Sequence, residues 1–136
     1  MNHQAHQAHQ GIGEDLAAVA RTLVDAGLKV HRELGPGLLE STYEACLTHE
    51  LTKRGLSIRR QVELPVIYDG VELSVGYRLD MLVEDKIIVE VKSVDALSRV
   101  HDAQILTYLK LSKRRLGFLM NFNVALFKQG VKRFVL

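Results

Sequence analysis

Three features of this 136-residue chain predict an α/β fold (α+β, mixed), with a central mixed β-sheet flanked by helices. Apolar residues recur at helical spacing early in the chain, strand-like alternation fills its middle, and a further helical stretch precedes two closing strands. An apolar content of 47% over this length suits one domain with one core, so the elements must share a single layered packing.

Residues 1–13 repeat His-Gln-Ala, placing His3, His6 and His9 in a polar segment with little to bury. A disordered tail is expected there, and a single folded domain over 14–136. Glu14-Asp15 suit a first helical turn, and Leu16, Val19, Ala20, Leu23, Gly27, Val30 and Leu34 follow at helical spacing. Gly35-Pro36-Gly37 stops that helix, and a second is expected from Leu38 to about Arg54, ended by Gly55. Alternation at Val62, Leu64 and Val66, then at Val71, Leu73 and Val75, predicts two antiparallel strands about an Asp69-Gly70 turn. Leu79 to Val83 and Ile87 to Val94 form the next strand pair. A third helix is expected over Ala96 to Lys113, then strands at Leu116 to Asn121 and Val131 to Val135.

Charge and cysteine usage narrow the setting more than the function. A net charge of +2 does not by itself require a nucleic-acid partner, although Arg59-Arg60, Lys113-Arg114-Arg115 and Lys128 to Arg133 are basic clusters that could line one edge. Cys46 is the only cysteine, which excludes an intrachain disulfide or a thiol-rich metal site and agrees with a reducing, cytoplasmic compartment. No apolar run approaches the ~20 residues that span a bilayer, so no membrane partner is expected.

The chemistry concentrates on two of these strands. In Lys86-Ile87-Ile88-Val89-Glu90-Val91-Lys92, alternation sends Glu90 and Lys92 to the face that also carries Ile88. Asp80 lies on the preceding strand, and Arg78, two residues before it, points to the same face. Two carboxylates and an ammonium among aliphatic side chains are costly unless paired or bound to a metal, so these residues form either a satisfied ion triad or a site. As a site, they suit metal-assisted phosphodiester hydrolysis. On the helices, Glu40 and Tyr43 stand at i and i+3, and Gln104 and Tyr108 at i and i+4, so each pair shares a face. His31 and His101 fall outside these sets and read as ordinary surface or hydrogen-bonded histidines.

Together these residues carry a resemblance. Asp80 with Glu90-Val91-Lys92 is similar to the signature of the PD-(D/E)XK nucleases, whose restriction-endonuclease-like core is an αβββαβ arrangement. Gln104-Ile105-Leu106-Thr107-Tyr108 resembles the QxxxY motif of their RecB-like branch. Gly37-Leu38-Leu39-Glu40-Ser41-Thr42-Tyr43 looks like the motif of the bacterial GxxExxY proteins, and the likeness runs from about Leu16 to Leu136. Leu79 stands where many relatives have proline before the aspartate.

The resemblance implies that Asp80 and Glu90 ligate a metal with the backbone carbonyl of Val91, and that Glu40 adds a ligand directly or through water. Oxygen donors without His or Cys independently favour Mg²⁺ or Mn²⁺ over Zn²⁺. Lys92 would orient or help deprotonate the attacking water and offset phosphate charge, so the catalytic set is Asp80, Glu90, Lys92 and Glu40. Gln104, Tyr108 and Tyr43 would position the substrate, against local readings in which Gln104 caps a strand carbonyl and the tyrosines fill packing interfaces. The expected partner is nucleic acid, DNA before RNA, cut at ends, single strands or branched structures. Two other classes stay open: a catalytically silent nucleic-acid-binding accessory, and an oligomeric interaction protein that retains the fold, alone or with a protein partner supplying specificity.

Overall fold

The computed structural model describes residues 13–136; the rest of the polar segment expected to be a tail lies outside the described residues. Helix α1 spans Glu14–Leu34 and α2 spans Glu40–Lys53. Strands β1 (Ile58–Glu63), β2 (Val66–Tyr68), β3 (Val71–Leu73), β4 (Arg78–Val83) and β5 (Ile87–Lys92) follow. Helix α3 (Arg99–Ser112) leads to β6 (Leu116–Asn121), a 3₁₀ turn (Phe127–Gly130) and β7 (Val131–Val135). Five strands form one sheet in the order β1-β4-β5-β6-β7, while β2 and β3 make a separate hairpin. The β5–β6 pair is parallel and the other pairs are antiparallel, which makes the sheet mixed.

Alternation along the central strands supplies two cores. Met81, Val83, Ile87, Val89 and Val91 face α1 and α2, meeting Leu23, Ala26, Tyr43, Leu47 and Leu51. Leu82, Ile88 and Leu119 face α3 through Ile105, Tyr108 and Leu109. Alternation along β5 puts Glu90 and Lys92 on the α3 face with Ile88, whereas along β4 it breaks at Asp80: Met81 and Val83 face α1 and α2, yet Leu79 joins Leu82 on the α3 side. Helices α1 and α2 are tied by charge as well: Glu50 of α2 accepts hydrogen bonds from Lys29 of α1 at 3.0 Å and from Arg54 at 2.9 Å.

Several boundaries depart from the sequence pattern for local reasons. The apolar alternation at Val62, Leu64 and Val66 is divided between β1 and β2, because Pro65 has no N–H to continue a ladder. The hairpin turns at Asp69-Gly70 as expected, but β3 ends at Leu73 and β5 at Lys92. Helix α3 begins at Arg99 rather than Ala96, since Ser98 caps it: the Ser98 N–H donates to His101 Nδ1 at 3.0 Å. His101 is therefore a capping residue.

The chain leaving β5 is held from β6. Asn121, buried, accepts the Val94 N–H at 3.0 Å and the Asn123 N–H at 3.2 Å, and donates to the Val94 carbonyl at 2.9 Å. Gly130 lies against the same residue, and a Cβ there would collide with the Asn121 carbonyl. Asn121→Ala leaves the Val94 backbone groups without these partners and should cost ~1–3 kcal/mol in denaturant unfolding. A parent-like midpoint and slope for that variant would mean that other contacts hold this loop.

Candidate active site

Asp80 and Glu90 meet where the sheet opens. The β4–β5 ladder runs from Val83↔Ile87 to Met81↔Val89 and includes no Asp80↔Glu90 pair, although β5 continues to pair with β6 through Lys92↔Asn121. Side chains take over the missing contacts: the Asp80 N–H donates to Glu90 Oε2 at 2.9 Å, and the Val91 N–H donates to Asp80 Oδ2 at 2.9 Å. Each carboxylate thus caps the other strand's backbone. The reciprocal bonds hold the two groups close together and leave a second oxygen on each without a hydrogen bond to the described residues.

Both acids hold their protons more tightly than usual. Burial pushes the Glu90 carboxyl up to about 8, the Asp80 charge adds to this, and the Asp80 N–H and Lys92 oppose it. Asp80 is raised chiefly by burial and further by the charges of Glu44 and Glu40, against the Val91 N–H and Lys92. Two carboxylates that disfavour each other's ionised forms, with only oxygen donors around them, match the needs of a hard divalent cation. Lys92 is half-buried at the end of β5, and among the described residues it makes no ion pair with either acid. The triad is therefore not closed by salt bridges.

Glu40 opens α2 beside the end of β5. Its Oε2 accepts the Ser93 N–H at 3.3 Å, while Ser93 Oγ donates to the Leu38 carbonyl at 2.7 Å. A recess of about 400 Å³ lies there, lined by Leu38, Leu39, Glu40, Ser41 and Ser93. Glu40 is not gathered with Asp80 and Glu90 into one compact ligand set: among the described residues, no three His, Cys, Asp or Glu side chains converge on a common metal position. Its charge nonetheless reaches Asp80.

Glu44 is the acidic neighbour that the sequence pattern passed over. One turn beyond Glu40, it is buried, with Arg60 Nε at 2.9 Å and Gln61 Nε2 at 3.1 Å from its two carboxylate oxygens, and its charge raises both Asp80 and Glu90. The signal available was its i+4 spacing from Glu40.

On α3, Gln104 is exposed and Tyr108 is buried against the sheet. The Tyr108 phenol is raised by burial and by the charges of Glu90 and Asp80, while a hydrogen bond with Gln104 lowers it, so Tyr108 borders the acidic pair and Gln104 lies beside Tyr108. Tyr77 packs obliquely on Tyr108 with ring centroids 6.0 Å apart. Tyr43 is a correction to the expected substrate-positioning set. It is fully buried and stacked on Phe122 at 4.5 Å, and its hydroxyl donates to the Gly35 carbonyl at 2.5 Å and accepts the Leu38 N–H at 3.1 Å. With both backbone contacts made, Tyr43 clamps the turn that delivers Glu40 and presents nothing to a substrate. His31 is likewise structural, its Nε2 2.7 Å from the Val124 carbonyl. Arg78 is exposed at the start of β4.

Comparison with curated proteins and with solved structures gives no match. The model of the PD-(D/E)XK nuclease superfamily matches residues 17–134, which takes in every element from α1 to β7 and leaves outside it little more than the N-terminal segment. A mixed five-stranded sheet between helices agrees with the nuclease fold of this superfamily, and the chain belongs to the PD-(D/E)XK nuclease superfamily.

Proposed function

We propose that this protein is a Mg²⁺- or Mn²⁺-dependent nuclease that hydrolyses phosphodiester bonds of DNA at ends, single strands or branched structures, and that it is one of the GxxExxY proteins, whose motif its Gly37 to Tyr43 segment resembles. The observation that carries this reading is the pair of reciprocal carboxylate–backbone bonds at Asp80 and Glu90, which holds two mutually repelling acids together at a break in the sheet. Asp80, Glu90 and the Val91 carbonyl would hold the ion, with Glu40 acting through water from the neighbouring recess. A divalent cation there supplies Lewis acidity and a bound water at lowered pKa. Lys92, unpaired among the described residues, offsets negative charge as it builds on the phosphate and orients the attacking water. Gln104 offers its amide to a phosphate oxygen, with Tyr108 beside it.

No helix among the described residues is long and apolar enough to cross a membrane. The single thiol of Cys46 suits a cytoplasmic setting.

The test is incubation of the purified protein with labelled single-stranded, duplex, flapped and branched DNA, and with RNA, in Mg²⁺, Mn²⁺ or EDTA. Cleavage of DNA in either metal, lost in EDTA and poorly supported by Zn²⁺, is expected; no cleavage of any substrate in any metal would refute the reading. Glu40→Gln provides a narrower check. Gln keeps the shape of the side chain but is a poor partner for a metal-bound water, so a small change in melting temperature should accompany a large fall in cleavage rate, partly restored by high Mn²⁺. Unchanged cleavage by that variant at low metal removes Glu40 from the site and leaves it as a favourable charge at a helix N-terminus, worth ~0.3–1 kcal/mol.

A further inference from the structure

The antiparallel register of β1 on β4 pairs Arg60 with Met81 and Val62 with Leu79, which puts Gln61 opposite Asp80. Gln61 and Asp80 do not pair, and Gln61 is left-handed, with φ 51°. Such a backbone is uncommon for a residue with a long side chain inside a strand, and it calls for something that holds it. Asp80 thereby lacks a strand partner on both sides, since the β5 ladder also stops short of it.

Alternation explains what the left-handed residue avoids. An extended Gln61 would share a face with Asp80, and side chains directly opposite in an antiparallel pair stand roughly 4.5–5.5 Å apart at Cβ. Its carboxamide would then crowd the Asp80 carboxylate. Instead the side chain reaches Glu44 on α2, a helix on the face of the sheet opposite Glu90 and α3, donating to its two carboxylate oxygens at 3.1 and 3.2 Å. Arg60 reaches the same carboxylate by ordinary alternation, at 2.9 Å. A buried carboxylate is costly unless it is paired. The partners of Glu44 are the residue at the break and the residue just before it.

We propose that Glu44 and Gln61 are positioning residues: the Glu44 carboxylate pulls Gln61 out of the β1 ladder and keeps the space beside Asp80 open for a metal ion and its water. The proposal rests on the nuclease reading only for what occupies that space; the backbone break can be tested without metal. Neither residue need touch the ion or the substrate.

Gln61→Val and Gln61→Gly separate this from a merely structural role. Valine strongly prefers extended backbone and disfavours positive φ, so it should close the ladder and bring a branched side chain beside Asp80. Glycine accepts either conformation and crowds nothing. In the metal-free protein, an Hα–Hα nuclear Overhauser contact between residues 61 and 80 should be absent from the parent and present in Gln61→Val and Glu44→Ala. Calorimetric titration with Mn²⁺ should then give an affinity at least about tenfold weaker for Gln61→Val, with Gln61→Gly close to the parent. The proposal is overturned if folded Gln61→Val lacks the contact or binds Mn²⁺ as the parent does, or if Gln61→Gly loses as much affinity as Gln61→Val. Failure of Gln61→Val to fold also counts against it, because the proposal has an extended residue accepted there. A parent that shows no Mn²⁺ binding would refute the metal reading instead, and the Hα–Hα contact would still judge the break.

Discussion

Glu90→Gln should make the metal-free protein more stable than the parent at pH 8 and above while abolishing metal-dependent cleavage. The folded parent holds the Glu90 carboxyl at about 8, against an ordinary value of 4.5. Between these values the folded state keeps a proton that the unfolded chain has released, so the parent's stability falls as pH rises. The contribution of this group is fully present below about pH 4.5 and is lost by about pH 8. Glutamine has no proton to lose, and its amide can still accept the Asp80 N–H. The resulting divergence should be on the order of a few kcal/mol, read as melting temperature against pH in EDTA. Parallel curves for parent and variant from pH 5 to about 8.5 would contradict a buried, proton-holding Glu90. The same linkage predicts that Mn²⁺ binding to the parent near pH 7 releases protons, since a ligating carboxylate must be ionised, and that its apparent affinity climbs with pH until about 8.

Lys92→Ala should be nearly inactive yet bind the metal at least as tightly as the parent. The ammonium lowers the proton affinity of both Asp80 and Glu90, which means that its charge reaches the place a cation would occupy. Removing a positive charge from that place favours a second one. Cleavage should nonetheless fall by ~10²–10⁴-fold, because charge stabilisation and water orientation at the phosphate are lost. Calorimetry with Mn²⁺ beside a cleavage assay separates the two effects. Loss of binding along with activity would make Lys92 a structural support of the site.

The strand that carries Glu90 and Lys92 was legible in the sequence because a branched apolar run with period 2 leaves little choice of face, and the order of helices and strands was legible for the same reason. The acidic pair followed from spacing, since a short Glu84-Asp85-Lys86 connection forces β4 and β5 together. What spacing could not show was that the ladder stops at Met81, so that carboxylates bond backbone N–H groups in place of carbonyls. Tyr43 and Glu44 are adjacent in sequence and fall on either side of the line from Glu40, one toward Phe122 and the other toward Arg60. Only the packing of α2 decides which of the two turns toward the site. Gln61 carries none of the usual marks of positive φ, which are Gly, Asn or Asp, because a tertiary contact to Glu44 holds it there.

A metal titration of DNA cleavage by parent and Glu90→Gln side by side decides whether Asp80 and Glu90 form an oxygen-ligand metal site for phosphodiester hydrolysis. The parent should cleave as Mg²⁺ or Mn²⁺ is raised and stop on addition of EDTA, with the folded variant inactive at every concentration. Cleavage by the parent that persists in EDTA, or equal cleavage by Glu90→Gln, would contradict it.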